Sequence, residues 1–389
     1  MAGIGVAPRV ALERCESYER DRVEHAVCRA LDELGGPGEI VGKGSRVFIK
    51  VNGLLPANPE RAITTHPEVV RALVLALSPV TRDVVIGDSP GGPFSPALLK
   101  RMYNKSGFAR VAEETGASLN MDTSVTLKHV PGAKSMKTFT LCSAMVEADH
   151  LLSVPKFKTH LLTGISGALK NMLGTVPGLT KVTYHSRFRG SRNFSDLLVD
   201  VVLASEPTLS LVDAIVGMEG NGPREGKPKH MGLIAAGRDP FAVDTAMMEV
   251  IGQRVSKSTT LESAIGRGLC TGKVSDIELV GDPLCECLVS SFAMPVGRDF
   301  SEYVPDVLLK MFGNLFSLRP CPDARKCTTC GKCVEVCPEQ AITISDGVAQ
   351  VDLSKCIRCY CCHELCEFDA VRLDRPALMR IKRRKRSKD

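Results

Sequence analysis

Along the first 285 residues, short runs rich in β-branched side chains alternate with stretches of helical spacing. Residues 9–15 and 46–51 have the composition of strands. Between them Val23, Ala26, Val27, Ala30, Leu31 and Leu34 recur three and four apart, which lines one face of a helix over 20–34. Gly35, Gly36, Pro37 and Gly38 end it. Thr65 is placed to cap a helix over 66–77, with Pro67 in its first turn. A strand at 83–87, helical spacing over 95–116 and strands at 149–154, 208–212 and 231–236 follow. Asp239 precedes Pro240 as the N-cap of a helix over 240–251. Strand alternating with helix predicts an α/β fold with a mostly parallel sheet and flanking helices. The length of the segment suggests two lobes.

The pattern then changes. Residues 286–326 read as a linker punctuated by Pro295, Pro305, Pro320 and Pro322. Its apolar middle, 304–318, is expected to pack on the other domains, with peripheral membrane contact as the alternative. Residues 327–374 form a cysteine-rich domain, expected to be small and α+β, and 375–389 are a basic tail.

Composition narrows the classes. The net charge is +6, and the last fourteen residues carry seven Lys and Arg against Asp389, so the tail holds the whole excess. The neutral body and 5% aromatic content make a nucleic-acid partner unexpected. The tail reads as a solubilising end, with anionic lipid, RNA or an acidic protein as alternative contacts. The first ten residues do not read as a signal peptide, and no apolar run is long enough to span a membrane. Sixteen cysteines without such a leader point to metal ligation in a reducing cytoplasm.

The cysteines carry the most specific signal. They run Cys327-x2-Cys330-x2-Cys333-x3-Cys337, then Cys356-x2-Cys359-x2-Cys362-x3-Cys366. A C-x2-C-x2-C loop supplies three thiolates to a cubane, and the distant fourth cysteine ligates the other cluster. That assigns Cys327, Cys330, Cys333 and Cys366 to one 4Fe-4S cluster and Cys356, Cys359, Cys362 and Cys337 to a second. Zinc is the competing metal, but two complete runs are far more specific than a single C-x2-C pair. CPEQAITI parallels CEFDAVRL, and the whole segment resembles bacterial two-cluster ferredoxins. Cys321 and Cys361 are spare thiols.

In the larger domain, chemistry concentrates in SVPKFKTHLLTGISGALKNMLG. On an extended strand Lys156, Lys158 and His160 share a face. Thr163 is expected to cap the next helix, whose free amides form an anion site, with Lys170 and Asn171 further along it. Lys50 and Asn52, then Asp88, Ser89 and the glycines of GDSPGG, fall where strands end. Gly91 and Gly92 would let backbone approach an anion. Asp213 and Glu219 are candidate acid–base groups or ligands for a divalent ion, and Asp244 is a weaker site candidate.

These segments, with IKVN, DAIVGMEGNGP and GLIAAGRDPFAVD, resemble the "domain of unknown function 362" family. The resemblance implies an α/β domain joined to a two-cluster module and supplies no substrate. We therefore expect a cytoplasmic iron-sulfur oxidoreductase served by a redox partner protein. Lys50, Asn52, Lys156, Lys170 and Asn171 would bind an anionic small molecule, and Lys158, His160, Asp88, Asp213 and Glu219 would do the chemistry. A flavin would suit a two-electron substrate, but no flavin signature is present. The alternatives are an electron carrier or docking protein without catalysis, and a redox or iron sensor.

Overall fold

The computed structural model describes residues 7–295 and 318–374. The first six residues, nearly all of the apolar linker segment and the basic tail lie outside the described residues.

The α/β domain contains β1 (Arg9–Arg14), β2 (Val47–Val51), β3 (Val84–Gly87) and β4 (Ser118–Leu119). Then come β5 (Val125–His129), β6 (Thr138–Cys142), β7 (His150–Val154), β8 (Lys156–His160) and β9 (Gly164–Ser166). The last are β10 (Leu209–Glu219), β11 (Lys227–Gly237) and β12 (Glu278–Gly281). Ten of them form one sheet in the order β12-β1-β11-β10-β7-β2-β3-β4, with β8 beside β10 and β9 beside β8. Its β1–β12, β10–β7, β10–β8, β2–β3, β2–β7 and β3–β4 pairings are parallel. The three antiparallel ones, β1–β11, β10–β11 and β8–β9, include both close hairpins, since short loops can join only antiparallel neighbours. β5 and β6 pair separately.

Strand alternation separates the core into two layers. On β2, Phe48 faces one layer and Val47, Ile49 and Val51 the other. Helices Arg20–Asp32 and Pro67–Leu77 cover the second face, and Ser191–Ser205 and Pro240–Val250 the first. Where length suggested two lobes, the chain has two apolar layers on opposite faces of one sheet. Each fully buried Val, Leu, Ile or Phe contributes about 1.5–3 kcal/mol of transfer free energy.

Several local expectations change. His66, not Thr65, caps the helix Pro67–Leu77, its Nδ1 accepting from the Glu68 amide. The Thr65 hydroxyl is already engaged, donating to the Val154 carbonyl at 2.5 Å. The helical stretch 95–116 divides into Pro96–Lys105 and Phe108–Thr115, because Gly107 turns left-handed at φ 81°. No helix starts at Thr163. Gly164, at φ 82°, lets the chain fold back as β9 against β8. The helix that follows is a single turn, Ala168–Asn171. Its first amides are satisfied by Asp244, whose Oδ1 accepts from Ala168 at 2.7 Å and Oδ2 from Leu169 at 3.1 Å. A carboxylate therefore occupies the terminus that was expected to hold an anion. Asp239 caps Pro240–Val250 as expected, accepting from Phe241 and Ala242.

The cysteine domain contributes β13 (Arg319–Pro322), β14 (Ile342–Ser345), β15 (Val348–Val351) and β16 (Val371–Asp374). β13 pairs with β16 and β14 with β15, both antiparallel. Its halves share a design: a cysteine loop, a left-handed residue (Gly331 at φ 78°, Tyr360 at φ 62°), then one helical turn.

Because Asp244 seats the turn bearing Lys170 and Asn171, Asp244→Ala should cost about 1–3 kcal/mol of stability in chemical denaturation. Asp244→Asn should fail to rescue it fully, since its amide nitrogen would face a backbone N–H.

Candidate functional site

Two apolar cavities lie within the cysteine domain. Cys327, Cys330, Cys333 and Cys366 line one. Cys337, Cys356, Cys359 and Cys362 line the other. Each holds three thiols from one loop and a fourth from the opposite half, the donor set a cubane needs. The two crossing sulfurs are held alike: Cys337 Sγ accepts from the Ala341 amide at 3.2 Å, and Cys366 Sγ from Ala370 at 3.3 Å. Among the described residues no three His, Cys, Asp or Glu side chains converge on a single ion, and the thiols stand around cavities instead. The residues fit iron-sulfur clusters. Bound there, such clusters supply one-electron transfer.

The cysteine domain is fastened to the α/β domain by acids beside its ligands. Asp369 lies 2.6 Å from the buried Arg224 and 3.0 Å from Arg61. Glu339 meets Arg189 at 3.0 Å, and Glu367 pairs with Arg101. Leu365 presses on Gly91, where a Cβ would come within 2.1 Å of its Cδ2. That glycine therefore makes room for the neighbouring domain rather than for an anion.

Glu364 reaches furthest in. It sits on the turn Cys361–Glu364, and its Oε1 lies 3.1 Å from His160 Nε2. His160 Nδ1 accepts from the Leu162 amide, which leaves the neutral ring's proton on Nε2, facing the carboxylate. Burial, reinforced by Lys170, pushes His160 down to about 4. Burial would raise the Glu364 pKa, but His160, Lys170 and His185 outweigh it and hold the carboxyl well below its usual range.

Between the domains lies a cleft of about 610 Å³, partly open to solvent. The α/β domain provides Lys50, Asn52, Asp88, Ser89, Lys170, Asn171, Lys181 and His185 to its walls, and the cysteine domain Cys361, Glu364 and Leu365. Sheet register explains much of this. Lys50 is paired across with Gly87 on β3 and Ser153 on β7, so the carboxyl ends of three parallel strands converge. Lys50 Nζ lies 2.9 Å from Asp88 Oδ1 and donates to Asn171 Oδ1 at 2.8 Å. Asp88 also accepts from the amides of Gly53 and Ser89. Gly174 packs on this pair, where a Cβ would lie 2.2 Å from Asp88 Oδ1. Asn171 also donates to Ser153 Oγ at 2.9 Å.

The remaining cations are less neutralised. Lys181 donates to the carbonyl and hydroxyl of Ser89, and burial, partly opposed by Asp88, brings its pKa down to about 8. Among the described residues Lys170 has no salt-bridge partner, and burial lowers its pKa against the pull of Glu364 and Cys361. The Asn52 Oδ1 is buried without a hydrogen-bond partner among the described residues.

Of the expected site residues, Lys50, Asn52, Asp88, Lys170 and Asn171 meet at the cleft, and His160 adjoins it through Glu364. Lys156, Lys158, Asp213 and Glu219 do not line it. Lys156 is buried 2.6 Å from Asp213, which lies mid-strand on β10 and also accepts from Tyr18 and the His66 amide. Lys158 donates to the Ile63 carbonyl at 2.6 Å, and burial, then Lys170, pushes it down to about 7. Glu219 accepts from the Ala293 amide. Sequence reasoning missed Lys181, His185 and Glu364. Only the position of Glu364, between ligands Cys362 and Cys366, hinted at a role.

Fold and site together define an α/β protein with a docked iron-sulfur electron-transfer domain. The chain belongs to the DUF362 family, a domain of unknown function whose model matches residues 47–249. Residues 326–370 match a 4Fe-4S dicluster domain. A thylakoid-associated protein of Synechocystis is 30% identical over 251 residues, covering 62% of this chain and 74% of that protein. The lactate racemase apoprotein of Thermoanaerobacterium thermosaccharolyticum shows a likeness at 17% identity and a TM-score of 0.39. That likeness covers 60% of this chain and 54% of the racemase. Among the described residues no helix is long and apolar enough to cross a membrane.

Asp213→Ala would leave the buried Lys156 charge uncompensated and should destabilise by about 3–5 kcal/mol in anaerobic denaturation. Adding Lys156→Met should recover much of that loss, with the cluster spectrum unchanged throughout; a catalytic pair would not be rescued in this way.

Proposed function

We propose that this protein is an iron-sulfur oxidoreductase whose two 4Fe-4S clusters exchange electrons with an anionic small molecule bound in the interdomain cleft. The observation that carries this reading is the make-up of the cleft walls: Lys170 and Lys181 on one side, and the turn bearing Cys361 and Glu364, next to ligand Cys362, on the other. Lys50 and Asp88 neutralise each other. Lys170 and Lys181 against Glu364 leave one positive charge, which suits a small monoanion.

Lys170 and Lys181 would bind the anionic group, and Asn52 Oδ1 would accept a hydrogen bond from the ligand. Asp88, held by Lys50 and two amides, orients the cationic wall. Lys181, with a pKa near 8, can exchange a proton close to neutral pH. Cys361 and Leu365 keep water from that wall of the cleft.

Anaerobic analysis should find about eight iron and eight sulfide per chain, and about four would sink the two-cluster claim. Titration calorimetry with inorganic phosphate and a panel of small carboxylates should identify a ligand whose affinity falls at least about tenfold in Lys170→Ala or Lys181→Ala, the loss of one charged hydrogen bond. Lys181 is charged below its lowered pKa, so binding should weaken as pH rises through about 8. Unaltered affinity in both variants would remove the anion site.

A further inference from the structure

The two cysteine cavities differ in what surrounds them. The second abuts the cleft through Cys361 and Cys362, both buried. The first opens outward: Thr328, Thr329 and Cys330 are exposed, and Phe368 and Ile344 on its lining are 46% and 41% exposed. Large apolar side chains left open beside a redox centre are a feature of docking sites.

The exposed charges beside this opening are mainly basic. Arg325 and Lys326 immediately precede Cys327, and both are exposed. Arg372 follows Val371 on the cavity wall and is half-exposed. The acids of this domain are mostly engaged elsewhere. Glu339, Glu364, Glu367 and Asp369 face the α/β domain, and Asp323 is covered by Arg325 and Arg372. Asp346, at the tip of the neighbouring β14–β15 hairpin, is the nearby exception. The sequence beyond β16 carries eight Lys and Arg against Asp389.

We propose that this face, around Thr328–Cys330, Ile344 and Phe368, docks a small acidic one-electron carrier protein, and that electrons enter there and leave through the second cluster into the cleft. This rests on the two-cluster reading above but not on the anion site. Each encounter oxidises the carrier by one electron and reduces this protein by one. A two-electron substrate would need two encounters, with its protons drawn from the cleft.

The test uses the reconstituted full-length protein under anaerobic stopped flow. The electron donors are a pre-reduced acidic plant-type ferredoxin and, separately, dithionite. With the ferredoxin, Lys326→Glu and Phe368→Glu should each slow reduction at least about tenfold, and added salt should slow the unaltered protein, because charge complementarity acts mainly on encounter. Iron content and the dithionite rate should not change. Any small anion that the cleft binds should keep its affinity in Lys326→Glu and Phe368→Glu, which separates failure of this proposal from failure of the cleft. Failure of the ferredoxin to reduce the unaltered protein, or normal rates in both surface variants, would overturn it. So would light scattering that shows a dimer converted to monomer by Phe368→Glu, since the face would then serve self-association.

Discussion

Glu364 brings a negative charge from the cysteine domain into the base of the α/β domain. A buried carboxylate is tolerated only where cations and polar hydrogens surround it. Here His160 Nε2 lies 3.1 Å away, and Lys170 and His185 add favourable fields. The same contact limits how the domains can sit, because it must form while Leu365 fills the space beside Gly91 and Asp369 reaches Arg224. The cleft exists because these contacts hold the second cysteine loop over the ends of β2, β3 and β7.

Buried lysines divide into two kinds around this point. Lys50 and Lys156 each lie against a carboxylate, Asp88 and Asp213, and serve mainly to hold strand ends together. Lys158 is buried on a carbonyl alone. Lys170 and Lys181 face the cleft with little neutralisation. Burial lowers the pKa of all five, but only Lys50, Lys170 and Lys181 line the cleft.

Much of this was legible in the chain. The spacing of eight cysteines pointed to two sets of four, because a short loop can supply only three thiolates to one cube, and the fold gathers each set around one cavity. Helical periodicity located Arg20–Asp32 and Pro67–Leu77, and the ends of the FIKVN and VVIG strands pointed to Lys50 and Asp88. The run 153–174 was read as rich in chemistry, but two of its lysines, Lys156 and Lys158, do not line the cleft. A strand pattern says which side chains share a face. It does not say that Tyr18 and Asp213, distant in sequence, will meet Lys156 there.

What the sequence determined by itself was local: two cysteine loops, strand and helix order, and a basic carboxyl end. Tertiary structure decided which charges are neutralised and which are free. Asp244 filled the helix terminus that looked like an anion site, and Glu364 crossed between domains to complete the cleft. Those outcomes depend on contacts between residues up to two hundred positions apart, and in a buried, low-dielectric setting such contacts outweigh any local preference.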